Sequence, residues 1–188
     1  MENDFVHLHV HSDYSLLYAT WTLDKIVERA SSLGQKAIAL TDYGNMFGVI
    51  LFSRACKDKG IKPIIGCDFY VAPFSYKEKK HYQNGKQYYQ LVLLAKDLKG
   101  YHNLMQLTSK SYIDGLYYKP RIDETLLEEH SEGLICLSGS VLQGKLAYLL
   151  MNGKLSDAEE LARRYVSIFG EDNFFIELQD HGLEEEKK

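Results

Sequence analysis

Phe5-Val6-His7-Leu8-His9-Val10-His11-Ser12 alternates strictly, with Phe5, His7, His9 and His11 on one side and Val6, Leu8 and Val10 on the other. A period of two predicts a β-strand with both faces occupied. Residues two apart on a strand share a face and lie roughly 6.5–7 Å apart. Two imidazoles at that spacing can lean onto one metal ion, each nitrogen about 2.0–2.1 Å from it. The stretch alone leaves two readings open, metal ligation and hydrogen-bonded histidines lining a partly wet cavity. A metal site also needs carboxylate or histidine partners from elsewhere.

Outward from this stretch, strand and helix patterns alternate. Residues 11–21 have no period and read as a loop. Thr22 suits an N-cap and Asp24 the first helical turn. Leu23, Ile26, Val27, Ala30 and Leu33 then recur at helical spacing, and Gly34 follows as a stop. Residues 36–40 predict a strand, 41–45 a turn and 47–59 a helix closed by Gly60. Residues 61–65 and 67–71 predict a strand interrupted at Gly66. This β-α-β-α-β order predicts parallel strands with right-handed crossovers.

Beyond it, strands are expected at 89–95, 133–137 and 174–179. Helices are expected at 98–112, at 123–129 with Asp123 as cap, and at 141–151 and 156–169, with 114–121 as loop. Residues 74–87 break the rhythm: they are polar, carry Lys77, Lys79, Lys80 and Lys86, and include an Asn84-Gly85 turn signal. They read as a hairpin excursion, its lysines either simply solvated or in contact with phosphate.

Alternating strands and helices point to an α/β barrel or a doubly wound sheet, in which functional groups gather at strand C-terminal ends. Those ends present His9 and His11, Asp42-Tyr43, Asp68, Gln90, Ser140 and Asp180-His181. Polar groups from separate strands at equivalent ends favour one shared site, and with it metal ligation by His9 and His11.

With 188 residues, 45% hydrophobic and 26% charged, the chain has the makings of one globular core. A net charge of −4 argues against a free-standing nucleic-acid binder, though not against a module of a larger assembly. Cys56, Cys67 and Cys136 show no C-x-x-C spacing, which disfavours a disulfide framework or zinc knuckle and fits a reducing cytoplasm. No leader-peptide pattern and no membrane-length apolar run is present, so a cytoplasmic, non-membrane protein is expected. His81, His102 and His130 read as surface residues, Asp42 and Asn45 as caps of a turn and the next helix, and Cys67 as a small buried side chain.

His9-Val-His11-Ser12 resembles the H-x-H-[ST] opening of the PHP (polymerase and histidinol phosphatase) domain. Asp13-Tyr-Ser-Leu-Leu17, Thr41-Asp-Tyr-Gly-Asn-Met-Phe-Gly48, Gly60-Ile-Lys-Pro-Ile-Ile-Gly66, Lys119-Pro-Arg121 and Glu177-Leu-Gln-Asp-His-Gly182 resemble, in the same order, the PHP domains of bacterial DNA polymerase III alpha subunits. The likeness runs from about Phe5 to Gly182. It implies an α/β fold, a distorted (β/α)7 barrel incomplete at its C-terminus. Residues 1–182 would be a truncated PHP domain with the Lys-rich excursion at about 74–87, and residues 183–188 a charged tail.

In family members with an intact site the barrel holds two or three metals and can act as a 3′–5′ exonuclease. By that resemblance His9 and His11 match the two histidines of the first motif, and Asp68 stands for a glutamate. Tyr18 replaces an aspartate, Tyr43 and Gln90 replace histidines, Ser140 replaces a cysteine, and a last Asp-x-His pair lies beyond Lys188. A phenol, an amide and a hydroxyl are poor ligands, because metals take deprotonated or basic donors. His9, His11 and Asp68 remain as metal ligands for one zinc or manganese ion, with no catalytic residue and no other cofactor-binding residue.

The expected role is therefore a structural, docking module of a replicative DNA-directed DNA polymerase. Its magnesium-dependent nucleotidyl transfer would lie outside this chain. The implied partners are the remainder of the alpha subunit, a proofreading exonuclease subunit, and DNA through the parent protein. A truncated barrel should also expose apolar surface near its last strand. The alternative is a stand-alone metal-dependent phosphoesterase or 3′–5′ exonuclease, with His7, Asp42 or His181 joining His9, His11 and Asp68.

Overall fold

The computed structural model describes residues 5–82, 85–182 and 184–187. Two βα layers open the fold: α1 (Leu23–Ser32), β1 (Ala37–Leu40), α2 (Val49–Asp58) and β2 (Lys62–Val71), with β1 and β2 parallel. The apolar stripes of α1 and α2 bury Leu23, Ile26, Val27, Val49 and Phe52 against Ile38 and Leu40 of β1. Gly34 and Gly60, at φ +72 and +68, turn the chain after each helix. Thr22 occupies the N-cap of α1 without a side-chain capping bond.

The expected run of parallel strands ends at β2. β3 (Tyr89–Ala95) lies antiparallel to it, and β6 (Leu134–Leu137) antiparallel to β3. The reason is local: no helix forms among the described residues between 72 and 88, and without a crossover helix a neighbouring strand must return in the opposite direction. After α3 (Leu98–Ile113), β4 (Leu116–Tyr117) and β5 (Lys119–Ile122) fill what the sequence suggests is loop, and β5 pairs in parallel with β2. Next come α4 (Glu124–Glu129), α5 (Lys145–Met151), α6 (Leu155–Phe169) and β7 (Phe174–Phe175), which pairs in parallel with β6. Asp97 and Asp123 cap α3 and α4, accepting from the Gly100 and Leu126 amides at 2.9 and 3.0 Å. The sheet order is β4-β5-β2-β3-β6-β7, with β1 also on β2.

Gly66 does not interrupt β2. A Cβ there would lie 2.6 Å from the Leu93 carbonyl oxygen, so glycine is what lets β3 approach. β7 is shorter than expected, and α5 starts after a turn at 141–144. Asn84 of the turn signal lies outside the described residues, as do Leu183 and Lys188 of the tail, whose residues Glu184–Lys187 form a 3-10 turn.

The histidine stretch is not a ladder strand. Ala39 N–H donates to the His7 carbonyl at 2.9 Å and Thr41 N–H to the Val10 carbonyl at 2.8 Å. Two residues of the β1 side thus face three of the histidine side, a bulge-like surplus that breaks the period of two and bends the segment. Phe5 and Leu8 are exposed accordingly.

Alternation in β2 separates two environments. Cys67, Phe69 and Val71 join Leu91, Leu93 and Cys136 in the core beneath the helices that follow β3. Ile64, Gly66, Asp68 and Tyr70 face the other way, Gly66 opposite Leu94, Asp68 opposite Val92 and Tyr70 opposite Gln90. Ala39, Val92, Leu94 and Leu137 form the apolar floor of this inner face. The barrel is open: among the described residues β7 and β1 do not pair. The gap is a cavity of about 870 Å³ whose lining includes Phe5, Leu8, Leu94, Ile135, Ile176 and Leu178. Leu178 is 91% exposed, the expected apolar surface near the last strand. Among the described residues no helix is long and apolar enough to cross a membrane.

The three cysteines are free and fully buried. Burial pushes the Cys56 thiol up to about 11, and Cys67 and Cys136 well above the ordinary range. Thiolate is the reactive form, so a disulfide reagent at about pH 8 is expected to leave the native protein unmodified. In guanidinium chloride it should titrate three thiols. Rapid native labelling would contradict the burial.

Candidate metal centre

β2 carries Asp68 inward, fully buried, and the bent histidine segment brings two imidazoles to it. His9 Nε2 lies 3.0 Å and His11 Nε2 3.3 Å from Asp68 Oδ2. One ligand atom from each of the three residues falls within 4.8 Å of the others. The rings of His9 and His11 meet edge to face, with centroids 4.9 Å apart. His9 Nδ1 lies 2.7 Å from Glu177 Oε1, which also accepts from the Gln179 amide at 2.6 Å. Glu177 is held in place by its backbone N–H, which donates to Ser138 Oγ at 2.9 Å just beyond β6.

His9 therefore bridges two carboxylates. Burial opposes a charge on its ring, but the hydrogen bonds and negative charges of Asp68 and Glu177 outweigh that, and its pKa is pushed up to about 10. Asp68 Oδ1 and Glu177 Oε2 are buried without a hydrogen-bond partner. The carboxylate of Asp68, with one oxygen orphaned and the other facing two imidazole Nε2 atoms, fits a divalent cation, whose entry would displace the proton on His9, with Glu177 behind the ring at Nδ1. The donor set of nitrogens and carboxylate oxygens suits a zinc- or manganese-like ion.

The rest of the mouth does not extend this donor set. Tyr43 stacks on His11 with centroids 3.9 Å apart and planes 18° apart. Tyr18 lies 5.1 Å and Tyr70 6.1 Å from Tyr43, and Tyr88 abuts Tyr70 at 4.8 Å. Burial, then the charge of Asp68, pushes the Tyr43 phenol up to about 12 against a hydrogen bond from Gln90; burial and neighbouring groups also raise Tyr70. With their pKa raised, the phenols of Tyr43 and Tyr70 stay protonated near neutrality and donate poorly to a metal. Lys119 Nζ sits 5.1 Å over the Tyr18 ring and 5.3 Å over Tyr70, adding a cation to the same rim. Ser140 Oγ accepts from the Gln143 amide at 3.2 Å, a turn contact. Gln90 reaches the rim because β3 starts there, not because a strand ends there.

Asp42 has a different task from a plain cap. It accepts from Ser12 N–H at 2.7 Å, Ser12 Oγ at 2.8 Å and Ser15 Oγ at 2.6 Å, pinning the loop that follows His11. Asn45 accepts from Phe47 N–H at 3.1 Å, as expected for a residue entering a helix. His7 is exposed against Phe5, and His181 is exposed and paired with Glu186 at 2.7 Å. Neither these two histidines nor Asp42 joins the cluster. His81 and His102 lie towards the surface as expected, whereas His130 is half-buried and burial lowers its pKa. Glu177 and Gln179 are the cluster members that sequence reasoning missed. Their i, i+2 spacing, which places them on one face of an extended segment, was the available signal.

Residues 7–181 match the profile of the family described as PHP domain. Among curated proteins the chain is 58% identical over 184 residues to the DNA polymerase III subunit alpha of Treponema pallidum, covering 98% of this chain and 16% of the relative. It is 46% identical over 182 residues to the protein of the same name from Borreliella burgdorferi, covering 97% and 16%. The chain thus spans about one sixth of the length of these relatives. Among solved structures, a putative metal-dependent phosphoesterase from Bifidobacterium adolescentis aligns with a TM-score of 0.41 at 16% identity, over 56% of this chain and 32% of that one.

Proposed function

Since the chain belongs to the PHP domain family, we propose that it serves as the PHP domain of a replicative DNA polymerase, with a reduced metal site and a structural, docking role. Residues 1–182 form this domain and residues 183–188 a charged tail. The observation that carries the reading is Tyr43 stacked on His11 at 3.9 Å. An aromatic ring fills the space beside the ligand cluster where further ions and a substrate would sit. His9, His11 and Asp68, with Glu177 behind His9, hold one divalent ion, zinc or manganese. A single ion there organises the inner face. The paired ions that flank an in-line displacement are about 3.5–4 Å apart and need more anionic donors than the cluster offers.

In this reading the parent is a DNA-directed DNA polymerase of the alpha-subunit kind, supported by relatives of that name about six times longer. Its magnesium-dependent chemistry lies in the remainder of the subunit, against which this domain packs. A proofreading exonuclease subunit docks on the assembly, DNA is reached through the parent, and the whole works in the cytoplasm. The stand-alone phosphoesterase reading gains nothing from His7, Asp42 or His181, which stand apart from the cluster.

The test is direct. Purified protein supplied with manganese or zinc and a 3′-labelled DNA is expected to release no more nucleotide than an EDTA control. Elemental analysis should find at most one ion per chain. Metal-stimulated hydrolysis that disappears in Asp68→Asn would overturn the proposal.

A further inference from the structure

Where β2 ends, residues 74–82 leave the sheet and are tied down by a buried guanidinium. Arg121 of β5 is fully buried. Its Nε donates to the Gly115 carbonyl at 3.3 Å, and its Nη2 to those of Tyr76 and Glu78 at 3.3 and 2.6 Å. Its Nη1 has no partner, and among the described residues it forms no ion pair with a carboxylate. Buried charges are normally in direct ion pairs; this one meets backbone carbonyls, with the Glu78 charge near enough to favour it but not bonded to it.

Above it stand Lys77, Lys79 and Lys80, exposed and, among the described residues, also without an ion-pair partner. Glu78, the acid of the segment, accepts instead from the Tyr82 hydroxyl at 2.7 Å. Aromatic rings interleave with the lysines. Lys77 Nζ is 5.5 Å over Tyr76, Lys80 Nζ 5.6 Å over Tyr82, and Phe74 lies 5.3 Å from Tyr82 while 65% exposed. Tyr117, 5.1 Å from the Arg121 guanidinium, touches Tyr118 at 4.6 Å. Tyr118 is 76% exposed and held at φ +59, a strained backbone for a bulky residue.

We propose that this segment binds single-stranded nucleic acid, phosphates meeting Lys77, Lys79 and Lys80 and bases stacking on Phe74 and Tyr118. Cations without ion-pair partners attract a polyanion, and here three of them stand within four residues beside exposed rings. Exposed rings distinguish the ligand. Only an unpaired strand offers base faces for stacking, and an acidic peptide offers none. The surface shares no residue with the histidine–carboxylate cluster and does not depend on how that cluster is read.

The experiment is fluorescence anisotropy of labelled oligo(dT) of about 16 nucleotides, with EDTA present to silence the metal site. The wild-type chain is expected to bind at low salt, with log affinity falling against log salt at a slope of about −2 for three single-strand phosphate contacts. K77E/K79E/K80E should bind at least about tenfold more weakly. Phe74→Ala should lose about tenfold on oligo(dT) and leave a duplex of equal length unaffected. Far-UV circular dichroism and melting confirm that the variants fold. Three results overturn the proposal: no saturable binding, unchanged affinity in the triple reversal, or equal affinity for single strand and duplex, which marks a bare polyanion surface. Failure of the exonuclease prediction above leaves this test untouched.

Discussion

Asp68→Asn is expected to weaken binding of one zinc or manganese ion by about a hundredfold or more, because the substitution removes the anion that, among the described residues, both imidazoles share. His9 and His11 each approach the same Asp68 oxygen, at 3.0 and 3.3 Å. An amide keeps the volume of the carboxylate and its fully buried place on β2, so the fold survives while the charge is lost. Glu177→Gln is expected to cost less, about tenfold, since Glu177 acts on the metal through His9. Competition titration with a chromophoric chelator reads both affinities, and melting in EDTA reports folding. An ion bound equally well by Asp68→Asn would lie elsewhere in the molecule.

The second large effect concerns Arg121. Arg121→Met is expected to lower stability by about 3 kcal/mol, from leaving buried carbonyls unpaired, and the melting temperature by roughly 6–12 °C for a chain of this size. The carbonyls of Tyr76 and Glu78 lose their side-chain donor together, while that of Gly115 keeps the bond from the backbone N–H of residue 121. Arg121→Lys is no rescue, because a single ammonium on a flexible stem cannot span acceptors that a planar fork reaches at once. Hydrogen exchange should quicken in residues 74–82 and 115–121 and stay slow in β1 and α1. Melting and exchange like the wild type would show that the clasp is dispensable.

Some of this was legible in the sequence. The stripe of Leu23, Ile26, Val27 and Ala30 specified α1, and the apolar runs specified β1, β3 and β6, because periodicity reports burial directly. His9 and His11 were marked by their alternation, but Asp68 was singled out from the other strand-end polar groups only by the resemblance, in the place of a glutamate. Strand direction was not legible. Nothing in β3 itself says that it opposes β2; the information lies in the lack of a crossover helix among the described residues between 72 and 88. The histidine stretch misled because alternation cannot reveal the surplus residue that faces Ala39 and Thr41. Glu177 and Gln179 stayed hidden because β7 stops at Phe175 and their placement depends on Ser138, a contact across 39 residues. The meaning of Tyr18 and Tyr43 came from resemblance alone, since a tyrosine by itself does not announce what it replaces.

The reversal at β3 has an architectural corollary. Both ends of the lysine-bearing handle are riveted to the same rim as the histidines, one to Tyr70 and the other to Gln90, which are themselves ladder partners. The exposed lysines of the handle can thus be recharged without shifting the walls it hangs from, whereas its length is fixed where Arg121 clasps the Tyr76 and Glu78 carbonyls and Tyr76 enters the core.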